Sequence, residues 1–108
     1  MSIQVKPGVK LAGLQPQIVL AITVAEHIWW LHGETPLVIT SCNDGQHKED
    51  SFHYRGLAVD LRTKNLPADQ RGAAVKRLRE ALGTEFDVLY ENVGQTNEHV
   101  HVEHDSHT

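Results

Sequence analysis

The residues of this chain that could do chemistry are histidines and the acids between them, gathered in two short runs. The first spans residues 51–60 and carries Ser51, His53, Gly56, Ala58 and Asp60. Side chains alternate between faces along a strand. Ala58 and Asp60 therefore share one face, while Leu57, Val59 and Leu61 point toward a core. Asp60 stands in an otherwise apolar stretch, where an unpaired carboxylate is costly. A cation is one resolution. Gly56 permits a sharp turn that folds His53 back toward Asp60, and small Ala58 leaves space where a ligand could approach. The second run is Glu98 to His104. Alternation there puts His99, His101 and Glu103 on one face and Val100 and Val102 on the other. His101 is placed to complete a three-ligand set, with His104 or His99 as substitutes. Catalytic zinc takes three protein ligands and keeps water in the fourth position. The expected set is His53, Asp60 and His101, and Zn2+ suits it better than manganese or cobalt.

Such a site needs a base. Glu98 precedes His101 by three positions, which on a regular strand is the wrong face. It serves only from the turn entering the strand, and Glu91 is the alternative. His99 could stabilise an oxyanion or orient the water. Ser51 either supports the His53 loop or touches substrate, and His47 is a substrate contact or a loop-surface residue. Cys42 is the only cysteine, which excludes an intrachain disulfide and the cysteine-rich zinc frameworks. No base is paired with it, so it is not read as a nucleophile. His27 and His32 lack the His-Glu-x-x-His order and fall on different helix faces, as ordinary helix residues.

Taken together, these positions resemble a known family. Ser51, His53, Gly56, Ala58 and Asp60 match the Ser-x-His-x-x-Gly-x-Ala-x-Asp motif of the zinc D-Ala-D-Ala carboxypeptidases and dipeptidases. Glu98 and His101 match the Glu-x-x-His element of the same family. His99 and His101 also match the His-x-His element of its relatives, which include phage L-alanyl-D-glutamate endopeptidases and the hedgehog-like fold. The stretch from Asp44 to His47 is similar to a variant in small phage-encoded members. The resemblance covers residues 38–105. It implies zinc ligands at His53, Asp60 and His101, a general base at Glu98, and peptidoglycan stem peptide as substrate. Many relatives carry a Gly-Tyr-Arg run whose arginine contacts substrate. Cys42, Asn43 and Asp44 stand there in this chain, so the partner of the substrate carboxylate and the bond cut stay open. The leading expectation is a zinc metallopeptidase of the phage endolysin type, with a cellular D,D-carboxypeptidase or dipeptidase as the near alternative. The alternative from another class is a non-catalytic zinc-binding module on the same fold, and a weaker one is a virion assembly component.

The elements that must position these residues follow from hydrophobic period and punctuation. A first helix is expected over 14–32, opened by Pro16 and stopped by Gly33. Leu20, Val24 and Leu31 widen its apolar stripe, so it should be well buried. Residues 37–40 and 57–62 read as strands, and 41–55 as a long polar loop. Pro67 opens a second helix with Gly83 just past its end, and strands are expected over 86–90 and 99–103. Residues 1–13 read as an extended lead-in. The order α-β-β-α-β-β with short C-terminal connections predicts an α+β fold, a small antiparallel sheet flanked by helices.

With 108 residues, a single catalytic domain spanning 1–108 is expected. The net charge of −4 argues against nucleic acid, whose phosphates demand a basic face. Arg71, Lys76, Arg77 and Arg79 read as one solvated helix face. Neither a signal peptide nor a membrane span is apparent. The expectation is a monomer made in the cytoplasm that acts at the bacterial cell wall after release or within a virion.

Overall fold

Runs of β-branched and aliphatic residues form the strands of one sheet, with two helices against it, in the computed structural model, which describes residues 1–42 and 56–105. In chain order the elements are β1 (Ile3–Val5), α1 (Pro16–Gly33), β2 (Leu37–Ser41), β3 (Ala58–Arg62), α2 (Arg71–Leu82), β4 (Phe86–Glu91) and β5 (His99–His104). They build a five-stranded sheet in the order β1-β2-β3-β5-β4. The α+β class expected from the sequence is observed, but the sheet is mixed. β1 lies in the expected lead-in and pairs parallel with β2, Ile3 opposite Leu37 and Val5 opposite Ile39. Three exposed residues give no alternation to read. Their pairing is supplied by the open edge of β2 rather than by a pattern of their own. The other strand pairs are antiparallel.

One face of the sheet carries Leu37, Ile39, Val59, Leu61, Val88, Val100 and Val102. Against it pack Ile18, Ala21, Ile22, Ala25, Ile28 and Trp29 of α1, and Ala74, Val75 and Leu78 of α2. Each large aliphatic or aromatic side chain removed from water here contributes roughly 1.5–3 kcal/mol. Trp29 also donates its indole N–H to the carbonyl of Arg62 at 3.0 Å, which ties α1 to the end of β3. The helices form a single layer, so α1 is covered on one side only. Leu20 and Leu31 are more than half exposed, so the helix is less buried than its widened apolar stripe led one to expect.

Two helix boundaries differ from the expectation for local reasons. Gly33 is the last residue of α1 and not its left-handed cap. Glu34 takes that role, with φ +49° and its N–H on the carbonyl of Trp30. Gly33 is instead a close-packing site, because a Cβ there would lie 2.8 Å from Cδ of Pro67. At the second helix, residues 67–70 form a turn closed by the Gln70 N–H on the Pro67 carbonyl at 2.8 Å. Arg71 then starts α2, its guanidinium bonding the carbonyls of Leu66 and Lys64.

Gly56 has a left-handed backbone that glycine alone takes up without strain. Its φ is +72°, and a Cβ would fall 2.0 Å from the carbonyl oxygen of Gly13. Its own carbonyl accepts from the Gln15 N–H at 3.0 Å. The start of β3 is thereby fixed against the entry to α1.

Candidate metal centre

The sheet face away from the helices is built by the same alternation that fills the core. Between β3 and β5, Val59 pairs with Val102 and Leu61 with Val100, all turned inward. The intervening pairs are Ala58 with Glu103, Asp60 with His101 and Arg62 with His99. Asp60 and His101, 41 residues apart in sequence, are direct cross-strand neighbours. His101 Nδ1 lies 2.8 Å from Asp60 Oδ1, and its Nε2 lies 2.8 Å from Glu103 Oε1.

All three side chains are mostly buried. Burial pulls the His101 pKa down, but the hydrogen bonds and charges of Asp60 and Glu103 outweigh it and push it up to about 9. Without a metal the ring is therefore an imidazolium held between two carboxylates at neutral pH. His53, the third expected ligand, lies outside the described residues, as do Ser51 and His47.

His99 shares the His101 face. Its Nδ1 is 2.8 Å from the carbonyl of Asn97, and its Nε2 is 3.1 Å from Glu91 Oε1. Glu91 is the cross-strand partner of His99 on β4, and its side chain is 45% exposed. His104, the other substitute ligand, pairs with Phe86 and meets that ring edge-on at a centroid distance of 5.0 Å. Alternation turns it to the face opposite His101.

Glu98 precedes the first residue of β5, so strand alternation does not govern it. Its carboxylate is buried and hydrogen-bonded at both oxygens. Oε2 accepts from the hydroxyls of Thr63 and Tyr90, the latter at 3.0 Å. Oε1 accepts from the Gly94 N–H at 2.9 Å and lies 3.6 Å from the Arg71 guanidinium. Burial alone would raise its pKa. The four partners outweigh that cost and hold it below the ordinary carboxylate range. Tyr90 is shifted the other way, up, by burial and by the Glu98 charge beside it.

A cleft of about 290 Å³ opens beside Asp60. Its walls include Thr40 and Ser41 of β2, Glu98 and His99 at the start of β5, and the cations Lys6, Arg62 and Lys64. Cys42 is fully buried with its thiol 3.9 Å from the Ala58 carbonyl, a packing position. His32 is likewise structural, with Nδ1 2.9 Å from Gln70 Oε1.

Two features are not found by reading the sequence alone. Alternation puts Glu103 on the His101 face without assigning it a role, although its two-residue offset from His101 is the signal that could have found one. The second is an acidic group of Asp87, Glu103 and Asp105. One carboxylate oxygen from each lies within 4.8 Å of the others, and together they could hold a metal ion. Asp87 enters through the β4–β5 register, which pairs it with Glu103 and has no sequence signature.

The donor chemistry of Asp60 and His101 fits zinc, which takes imidazole nitrogen and carboxylate oxygen at about 2.0–2.2 Å. Two such ligands around a tetrahedral ion stand roughly 3.3 Å apart. The 2.8 Å separation of Nδ1 and Oδ1 needs only a small spread to admit one. No protein-family model matches the chain, and no curated protein matches it. Among the described residues, no helix is long and apolar enough to cross a membrane.

Proposed function

We propose that this chain is a zinc metallopeptidase that hydrolyses peptide bonds in bacterial peptidoglycan, on a hedgehog or D,D-peptidase-like fold. The observation that carries the reading is the 2.8 Å contact of His101 Nδ1 with Asp60 Oδ1 across β3 and β5. Two donors of the types the motif requires share one point on the polar face of the sheet. His53, seven residues before Asp60 in the motif, would supply the third donor. Bound zinc would lower the pKa of a water molecule and polarise the scissile carbonyl.

The other roles fall to the chain's own groups. Glu98 enters the proposal as an anchor at the mouth of β5, because Thr63, Tyr90, Gly94 and Arg71 occupy its oxygens. A base with a depressed pKa and three hydrogen bonds already accepted is poorly suited to accept a proton. Glu91, the alternative base, is water-accessible and held by His99 at 3.1 Å. We assign it the proton taken from the attacking water and returned to the leaving amine. His99, anchored through Nδ1 on the Asn97 carbonyl, orients Glu91 through Nε2. Lys6, Arg62 and Lys64 line the cleft of a chain whose net charge is −4. That local positive charge suits the free carboxylates of a stem peptide.

The test is to incubate the zinc-loaded full chain with purified peptidoglycan and weigh the released products. New amine and carboxyl ends are expected, lost in Asp60→Asn and His101→Ala and sharply reduced in Glu91→Gln. Stoichiometric zinc binding with no released peptide would favour the non-catalytic zinc module instead. The full commitment of Glu98 to its neighbours is the observation on that module's side.

A further inference from the structure

Resting on the zinc reading of Asp60 and His101, we infer that Glu103 is the positioning residue that makes His101 a metal ligand through Nδ1. The two ring nitrogens of His101 face two different carboxylates at the same distance, 2.8 Å. Only one of those carboxylates, Asp60, comes from the motif strand. Glu103 comes from β5 itself, two residues on and therefore on the same face.

A carboxylate can only accept. Both acids accept from the metal-free imidazolium; when zinc takes the place of the proton facing Asp60, Glu103 Oε1 still accepts from Nε2–H and leaves Nδ1 as the ligand nitrogen. Histidines that bind metals usually donate their other ring N–H in this way, to a partner that fixes tautomer and ring plane and raises ligand basicity. The backbone secures the arrangement. Glu103 is paired with Ala58 on one side and Asp87 on the other, so its position relative to His101 is set by two ladders. Asp87 and Asp105 lie close to the Glu103 carboxylate. Their negative charge disfavours a Glu103 side chain that swings toward them and favours the bond to the ring N–H.

The competing role for Glu103 is as a direct ligand in the group with Asp87 and Asp105, and the two roles separate cleanly. Zinc affinity of the full chain is measured by competition with a chelator, for the wild type and for Glu103→Ala, Glu103→Gln, Glu103→Asp and Asp87→Asn. Thermal unfolding without metal checks that each variant folds. Glu103→Ala is expected to weaken zinc binding about 10–100-fold. Glu103→Gln keeps an acceptor oxygen at the same reach and should recover most of that loss. Glu103→Asp keeps the charge but is one methylene short and should not. Asp87→Asn should leave affinity unchanged. In the zinc-loaded wild type, the His101 Nε2–H should appear as a slowly exchanging proton resonance that is absent in Glu103→Ala.

Unchanged affinity in Glu103→Ala overturns the inference, as does a loss in Asp87→Asn equal to that in Glu103→Ala. If Glu103→Ala does not fold, the contrast between Gln and Asp decides between the two roles in its place. Failure of the wild type to bind zinc, or indifference of its affinity to His101→Ala, overturns the zinc reading beneath it and is distinguishable from either outcome.

Discussion

Zinc and a proton compete for His101, and the competition can be measured. The metal-free ring is pushed up to about 9 by Asp60 and Glu103. A metal needs a ring nitrogen without its proton. At pH 7 the site must therefore release a proton held roughly 2 pH units above ambient, a cost of about 2.7 kcal/mol or 100-fold in affinity. Apparent zinc affinity should rise about tenfold per pH unit between 7 and 9 and flatten above. A fall steeper than tenfold per unit at lower pH would be the signature of a second protonating ligand. The assay is chelator competition at constant ionic strength from about pH 6 to 10. Calorimetry in buffers of differing ionisation heat would count about one proton released per zinc at pH 7. Affinity that is flat between about pH 7 and 9 would refute the reasoning, because no ligand with this pKa would then be exchanging its proton for the ion.

The same shift governs the metal-free fold. A histidine whose folded pKa is raised contributes stability that is full below its unfolded value of about 6.5 and lost as pH rises through about 9. Urea unfolding of the metal-free chain should weaken over that window by at most about 3 kcal/mol, and a flat profile would contradict it. Glu98 acts at the other end. Its pKa is lowered by its partners, so its contribution is present at neutral pH and lost as pH falls below the ordinary carboxylate range. Glu98→Ala should cost about 1–3 kcal/mol in denaturant unfolding at pH 7, chiefly by leaving the Thr63 and Tyr90 hydroxyls and the Gly94 N–H without their acceptor; a loss under about 0.5 kcal/mol would mean the network is dispensable. Gly56→Ala forces a left-handed backbone onto a side chain aimed at the Gly13 carbonyl. A loss of about 3 kcal/mol or more is expected, read as a drop in melting temperature. Trp29→Phe removes the bond to the Arg62 carbonyl and should cost about 1–3 kcal/mol, checked in the same way.

Much of the site is legible because a strand reports its faces directly. The two-residue period assigns Val59, Leu61, Val100 and Val102 to the core and Asp60 and His101 to the opposite side, and the register brings those two into contact. Partnerships between elements are not legible. Thr63, Arg71, Tyr90 and Gly94 stand at separate places in the chain and converge on one carboxylate, and no local pattern announces such a convergence. The outer side of α1 escapes for a related reason: Leu20 and Leu31 look like core by type, but the number of layers over a helix is a property of the whole fold. Gly33 has the look of a stop signal, whereas Pro67, far along the chain, is what demands it.

The shared ladder between β3 and β5 also limits how this surface could change over evolutionary time. Substitutions can exchange one functional group for another at any rung, since each side chain on that face stands free of the hydrophobic layer. A single-residue deletion inside either strand is a different event. Its downstream rungs would turn over, sending imidazole and carboxylate into the oily interior and valine into water. Descendants of this sequence can therefore vary their chemistry position by position, but their spacing along both strands is inherited as one indivisible unit.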